Sequence, residues 1–266
     1  MTRMENGSLM FVQMLENVGR SFLDFIEEVG AFTRLVTQTI FGCFKRPFEF
    51  AELMKQLERV GVQSLSVVLV TAIFTGMVFS LQIYGGFQRF QAEGFVPTVL
   101  GLALLRELIP VLCGLMVAGR VGSAMAAEIG TMKVSDQIDA LEVMSTNPVQ
   151  YLVVPRFLAL TLMLPLLIAM GDLIGLLGGK YLINHILHDP FPGFMERVFD
   201  YLDAEDFWSG ILKAAVFGAI ISTVGCFQGL STRGGAEGVG KATTTAVVKA
   251  SLGILVSDFF LSKLFY

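Results

Sequence analysis

The chain is poor in charge and in the side chains that most often carry catalysis or bind metal. Only 16% of its 266 residues are charged, and it contains two histidines, three cysteines and one tryptophan. Hydrophobic residues make up 54% of the sequence and the mean hydropathy is +0.68, so a soluble domain of this composition would expose too much apolar surface. The composition excludes an ordinary soluble domain and predicts an integral membrane protein.

The few cysteines and histidines exclude further kinds of site. The cysteines are isolated, with no C-x-x-C pair, which indicates packing rather than redox or metal roles; they are Cys43, Cys113 and Cys226. His185 and His188 could place two ligands on one helical turn beside Asp189, but no further histidine or paired cysteine completes a metal site. We expect no metal and no cofactor in this chain. No basic patch indicates nucleic-acid binding.

Five nearly charge-free runs are about 20 residues or longer, the length that crosses roughly 30 Å of hydrocarbon as a helix. They lie near residues 61–84, 95–119, 157–180, 207–229 and 242–264. The predicted fold is therefore an all-α integral membrane protein with five transmembrane helices.

The distribution of lysine and arginine predicts the orientation, because cytoplasmic connections carry an excess of these residues. They precede the first span or flank alternate connections, at Arg3, Arg20, Arg34, Lys45, Arg46, Lys55, Arg59, Arg120, Lys133, Arg156, Arg233 and Lys241. The opposite connections, residues 89–93 and 184–206, are short or mainly acidic. We expect a cytoplasmic N-terminus and a C-terminus on the other side of the membrane.

Residues 1–46 form a separate region with a helical apolar stripe. Apolar side chains recur at steps of four and three, at Phe11, Leu15, Val18, Phe22, Phe25, Val29, Phe32 and Val36. An aromatic-rich stripe directly before a span is typical of an amphipathic helix lying in the membrane interface, which Pro47 would end. A coiled-coil arm is the alternative.

Six ionisable residues fall inside the predicted spans: Arg106, Glu107, Asp172, Lys213, Lys249 and Asp258. An unpaired charge at mid-helix costs about 2.5–3.5 kcal/mol on insertion scales, so pairing or access to a polar cavity is expected. Lys213 lies at a depth similar to those of Asp258 and Asp172, which predicts that it pairs with one of them. Lys249 lies nearer the cytoplasmic side and can extend its ammonium to the interface.

Arg106 and Glu107 are adjacent and point about 100° apart on their helix. Pro110 lacks the amide that would bind the carbonyl of Arg106, so the helix is weakened there and the carbonyl becomes available to a ligand or water. Two interpretations stay open. The guanidinium of Arg106 could hold an anionic head group in a cavity, or it could form a structural ion pair between spans.

The segment after the second span predicts a compact cytoplasmic element. It begins with small residues that allow close helix packing, and Ser135 can cap a helix whose first turn contains Asp136 and Asp139. Apolar residues follow on one side, and Asn147 with Pro148 ends the element; these apolar residues are Ile138, Leu141 and Met144. An ordinary helical loop packed on its own domain is the alternative.

A phosphate-binding motif is matched only superficially near the last span. Residues 235–241 read G-A-E-G-V-G-K, but Ala242 stands where a P-loop needs serine or threonine, and no strand precedes it. We interpret this segment as a flexible cytoplasmic loop.

Two long stretches resemble a known family. The run LLRELIPVLCGLMVAGRVGSAMAAEIGTMKVSDQIDALEVM, followed by NP-x-x-Y and VPR, and the later KATTTAVVKASLGILVSDFFL closely resemble the MlaE/YrbE permeases of bacterial lipid ABC transporters. The resemblance covers residues 47–266. It implies a homodimeric, non-catalytic permease of the inner membrane, with its N-terminus cytoplasmic and its C-terminus periplasmic. It also implies a cytoplasmic ATPase that binds ATP and magnesium, a periplasmic MCE-domain protein and often a STAS-domain protein. The cargo would be phospholipid, in support of outer-membrane lipid asymmetry.

The resemblance also implies roles for particular residues. A coupling helix within residues 128–146 would contact the ATPase through polar and apolar side chains, namely Glu128, Asp136, Asp139, Glu142, Ile138 and Leu141. The lipid cavity would be lined by charged residues, namely Arg106, Glu107, Lys213 and Asp258, beside the helix weakened at Pro110. Residues 184–206 are the least family-like part.

Two other function classes compete. In an ion-coupled secondary transporter, Glu107, Asp172 and Asp258 could relay protons, although five spans divide poorly into inverted halves. A lipid-modifying membrane enzyme would need clustered aspartates or histidines at a membrane surface, and the sequence has no such cluster.

Overall fold

The computed structural model describes residues 2–45, 49–187 and 193–265. Across these ranges every regular element is helical and none is a strand. The helices are α1 Thr2–Gly42, α2 Phe50–Gln88, α3 Glu93–Val134, α4 Gln137–Val143, α5 Val149–Ile186, α6 Phe194–Tyr201, α7 Ala204–Leu230 and α8 Gly235–Phe265. The predicted all-α class is confirmed.

Five of these helices, α2, α3, α5, α7 and α8, are long and apolar enough to cross a membrane. They contain the five predicted spans and extend beyond them. The largest difference is in α3, which was expected to end at residue 119 and continues to Val134. Close packing on α7 and the turn after it explains this continuation. A Cβ on Gly122 would lie 3.2 Å from Cγ2 of Ile221, and one on Gly130 would lie 2.9 Å from Oγ1 of Thr232.

Wider turns of π-helix interrupt α3 and α5. In α3 they lie at Leu104–Leu108 and Ala118–Gly122, and in α5 they lie at its two ends, Val149–Val153 and Leu182–Ile186. Such turns are frequent at functional sites. The first lies directly before Pro110, and there the amide of Ile109 donates to the carbonyl of Leu104, five residues back.

The bundle is organised around α7. In the most apolar window of each helix, 67% of the residues of α7 are buried, against 17% for α8. Glycines allow backbones to touch: a Cβ on Gly76 of α2 would lie 2.0 Å from the carbonyl oxygen of Gly175 of α5, and one on Gly218 of α7 would lie 2.6 Å from that of Leu160. Helix α7 is therefore the centre, and α8 keeps a broad face exposed.

The N-terminal helix α1 packs on the bundle at its C-terminal end. Leu35 and Thr39 are buried there, and Leu35 joins a core with Val153 and Phe227. Phe22 is 62% exposed, as the interfacial prediction requires of its stripe. The stripe residues Phe11, Leu15, Val18 and Phe25, and the terminating Pro47, lie outside the described residues and side chains. The in-plane placement stays a prediction.

A coupling helix was expected within residues 128–146, and the structure divides this range between two helices. Helix α3 ends at Val134, and a break at Ser135 and Asp136 separates it from α4. Asp136 has a left-handed backbone with φ of 58°. The predicted cap by Ser135 is wrong, because its hydroxyl donates to the carbonyl of Thr131 at 2.8 Å instead of receiving a bond from α4. The expected loop at residues 235–241 is also wrong, because α8 begins at Gly235.

Candidate functional site

The ammonium of Lys213, on α7, forms the centre of the candidate site. The side chain of Lys213 is 0% exposed. It binds Oε1 of Glu107 at 2.8 Å and Oδ1 of Asp258 at 3.1 Å. The hydroxyl of Ser262 lies 2.7 Å from it and donates to Glu107 Oε1 at 2.9 Å. One cation from α7 thus holds groups from α3 and α8. Of the two predicted partners of Lys213, Asp258 and Asp172, the structure shows Asp258, and it adds Glu107, which was not predicted as a partner.

The carbonyl of Arg106 completes this cluster. It accepts a hydrogen bond from Lys213 Nζ at 2.9 Å. Pro110 cannot donate to that carbonyl, so the missing helical bond is replaced by a charge-assisted one. The expectation that the carbonyl would be open to a ligand or water is therefore wrong. Close approach of α7 makes the bond possible, because a Cβ on Gly210 would lie 2.4 Å from the carbonyl oxygen of Leu105.

The side chain of Arg106 points away from Lys213 and pairs with Asp206, at 2.5 Å between Nη2 and Oδ1. Asp206 is 2% exposed and also caps α7, since its other carboxylate oxygen accepts the amide of Asp203 at 3.1 Å. Sequence reasoning missed Asp206, which it assigned to the outer acidic connection. The D-x-x-D capping pattern at Asp203 and Asp206 was the available signal.

Beside this ion pair lies a cavity of about 310 Å³. It is lined by Arg106, Asp203, Glu205, Asp206, Trp208, Ser209, Leu212 and Phe265. The side chain of Arg106 is 34% exposed, so it faces the cavity while paired with a nearly buried carboxylate. Both sequence interpretations of Arg106 are therefore compatible with the structure. The side chain forms an ion pair between spans, and it also lines a space that a polar group could enter.

The remaining intramembrane charges lie elsewhere. Asp172, on α5, is 4% exposed, and its Oδ1 has no hydrogen-bond partner within the described ranges. It does not join Glu107 and Asp258 on Lys213. Lys249, expected to extend its ammonium to the interface, forms an ion pair with Glu28 of α1, which ties α1 to α8.

At the other end of α3, the predicted coupling residues divide into two groups. Glu128 lies on α3 and binds two arginines of the same chain, Arg59 and Arg156, the latter at 3.2 Å. Ile138 is 3% exposed in a core of this protein, and Leu141 packs against that core. These three side chains thus face their own bundle, because neighbouring helices supply their partners.

The second group is exposed. Asp136, Asp139 and Glu142 are exposed, and Asp139 accepts from Lys133 at 2.7 Å. Val143 and Met144, at the end of α4, are 85% and 66% exposed. Two apolar side chains thus lie exposed beside acidic ones. Met144 was expected among the apolar residues of this element, but neither Met144 nor Val143 was predicted to contact the ATPase.

The described residues contain no group of three or more histidine, cysteine or carboxylate side chains that could hold a metal ion. His188 and Asp189, two of the three candidates from the sequence, lie outside the described ranges.

Comparison with known proteins identifies the family. Residues 53–264 match the family Permease MlaE. The chain belongs to the MlaE permease family. A probable ABC transporter permease of Rickettsia felis is 42% identical over 257 residues, which is 97% of this chain and 99% of that protein. A probable ABC transporter permease of Synechocystis is 45% identical over 213 residues, 80% of this chain and 81% of that protein.

A third relative comes from a plant. The chloroplast protein TRIGALACTOSYLDIACYLGLYCEROL 1 of Arabidopsis thaliana is 41% identical over 229 residues, which is 86% of this chain and 65% of that protein. The MlaE-family chain is thus a multi-pass membrane permease of an ABC transporter, and this class implies an ATPase partner.

The geometry predicts that Lys213→Met strongly destabilises this MlaE-family permease. Removing one partner of a fully buried ion pair costs about 3–5 kcal/mol. Two carboxylates lose their cation here, but water reaches the Glu107 side chain, which is 40% exposed, so the loss should lie at the lower end of this range. Lys263→Met, at an exposed site on α8, is the matched control and should change the unfolding free energy by less than about 0.5 kcal/mol. The measurement is detergent-induced unfolding followed by circular dichroism.

Adding Glu107→Gln to Lys213→Met should recover part of the loss, because one stranded carboxylate becomes neutral. An unfolding free energy for Lys213→Met equal to that of the unmodified chain would contradict the role given to the cluster.

Proposed function

We propose that this chain is the permease subunit of a transporter that moves phospholipid between the bacterial inner membrane and a periplasmic MCE-domain protein, in support of outer-membrane lipid asymmetry. The observation that carries the proposal is the cavity beside Arg106, whose lining combines charged side chains with the apolar Trp208, Leu212 and Phe265. The name of the Arabidopsis relative is that of a glycolipid, which supports a lipid cargo.

The charges of the cavity suit a phospholipid head group. Arg106 offers a guanidinium to a phosphate, while Glu205 and Asp203 offer carboxylates to an ammonium. Leu212, Trp208 and other apolar side chains continue the wall, and they can contact the glycerol and acyl part. A zwitterionic head group therefore finds both of its charges matched.

The second copy of this chain is proposed to pack against α8. This helix keeps large apolar side chains exposed around the Lys213 cluster, namely Leu252, Leu255, Val256, Phe259 and Phe260. Two copies would enclose a cavity between their α3, α7 and α8 helices. The N-terminus would be cytoplasmic and the C-terminus periplasmic, in agreement with the distribution of lysine and arginine.

The ATPase is proposed to dock on α4 and the exposed end of α3. ATP and magnesium would bind to that subunit, and this chain would carry out no chemical step. A STAS-domain protein would complete the assembly. Helix α3 continues through its π turns from Glu93 to Val134, next to α4, so a push on α4 would be passed along α3 to the π turn at Leu104–Leu108 and narrow the cavity.

A transport assay separates the two interpretations of Arg106. Arg106→Gln should abolish lipid transfer between vesicles and the MCE protein, while Arg89→Gln, at an exposed site after α2, should transport normally. The double variant Arg106→Gln with Asp206→Asn removes both partners of the ion pair. It should remain inactive, because the head group still lacks its guanidinium. Restored transport in the double variant would show that Arg106 serves only the ion pair.

The docking surface is tested at Val143, since its side chain is exposed and has no part in the core of the chain. Val143→Asp should remove the stimulation of ATPase activity by lipid without changing the yield of folded protein, and Val143→Leu should keep it. Leu141→Asp is a poorer test because Leu141 packs against the core of this chain. Full stimulation in Val143→Asp would place the ATPase contact elsewhere.

A further inference from the structure

A second polar cavity lies between α2 and α3, at the end of the bundle that carries α4. Its volume is about 170 Å³, and its polar lining consists of Gln56, Arg59, Gln63, Ser64, Arg120 and Glu128. Arg120 lies fourteen residues after Arg106 on α3, roughly 21 Å along a helix, so this cavity is separate from the one described above.

Positive charge exceeds negative charge around this cavity. The carboxylate of Glu128 is shared by Arg59, through Oε1, and Arg156, through Oε2 at 3.2 Å. Arg120 also lines the cavity, so three guanidinium groups stand against the single carboxylate of Glu128. Two positive charges therefore remain without a counter-charge among the polar residues named here.

Two buried polar atoms at the cavity lack a hydrogen-bond partner among the residues that the structure describes. Nη1 of Arg120 is buried and makes no hydrogen bond within the described part of the chain. Ser64 is 1% exposed, and its hydroxyl likewise has no partner there. An unsatisfied buried donor is costly, and an unsatisfied part of a charged group more so, which indicates that a ligand meets them.

The chemistry of these donors selects the ligand. A guanidinium fork matches two oxygens of a phosphate, and a hydroxyl can donate to a third acceptor. A metal cation would be repelled by the excess of arginine. We propose that this cavity binds a phosphate group, supplied either by a lipid head group of the adjacent leaflet or by free phosphate.

The apolar part of the lining bears on the source. Val60, Val121, Ala124 and Met125 border the charged groups, and Ala124 and Gln63 lie exposed at its mouth. A lipid could thus place its phosphate on Arg120 and its glycerol along these side chains. Basic pockets between membrane helices are known to bind anionic head groups in this way. The site does not depend on the transport function proposed above.

Native mass spectrometry of the full chain in detergent tests the proposal with two probes, short-chain phosphatidylglycerol and inorganic phosphate. Arg120→Gln should raise the dissociation constant of at least one of the two probes by about tenfold or more. Ser64→Ala should raise the dissociation constant of the same probe by less, because loss of a charge-assisted hydrogen bond costs more than loss of a neutral one. Arg233→Gln, an exposed arginine at the same end, is the matched control and should bind like the unmodified chain.

The two probes distinguish the sources. Phosphatidylglycerol binding that depends on Arg120, without such binding of inorganic phosphate, identifies a lipid site; dependence with both probes identifies a phosphate site. Diacylglycerol, which lacks phosphate, should show no dependence on Arg120. Equal binding by all variants overturns the proposal, and so does the same loss with diacylglycerol. Ser64→Ala keeps the test valid should Arg120→Gln fail to fold.

Discussion

The structure depends on one buried cation. The ammonium of Lys213 has no exposed surface, yet it gathers a backbone carbonyl and a carboxylate from α3 and a second carboxylate from α8. A lone charge at this depth would destabilise its span, so α7 is held to α3 and α8, the two helices that supply its partners, by the cost of separating them. Pro110 leaves the carbonyl of Arg106 free for this bond, and Gly210 lets α7 come close enough to make it.

The long helix α3 connects the two ends of the molecule. Its first π turn lies at Arg106 and Glu107, and its second lies at Arg120, beside the phosphate cavity that we propose. Each of these two π turns widens the helix at an arginine, Arg106 in the first and Arg120 in the second. Since α3 continues between them and on to Val134, next to α4, the proposed function has α3 pass a displacement at α4 to the Lys213 cluster.

Local patterns in the sequence predicted the spans, and depth along the helices narrowed the partner of Lys213 to Asp258 or Asp172, of which the structure shows Asp258. Asp206 was missed because it stands among the acidic residues of a connection, and the sequence does not show that its carboxylate alone points inward to Arg106. The inward placement of Glu128 depends on Arg59 and Arg156, which are far away in the sequence. Helix α3 continues beyond the end of its apolar run because it packs on α7 there. The apolar run itself does not predict this continuation.

On the proposed function, a partner acting on α4 changes the shape of the cavity at Arg106. Spin labels at Trp208 and Phe265, two side chains of the cavity wall, would report its width in the assembled transporter after the three native cysteines are replaced by alanine. The distance between the two labels, measured by electron paramagnetic resonance, should shorten when the ATPase binds a non-hydrolysable ATP analogue. Val143→Asp should remove that shortening. A distance that does not respond to the analogue, or one that responds equally in Val143→Asp, would contradict the account.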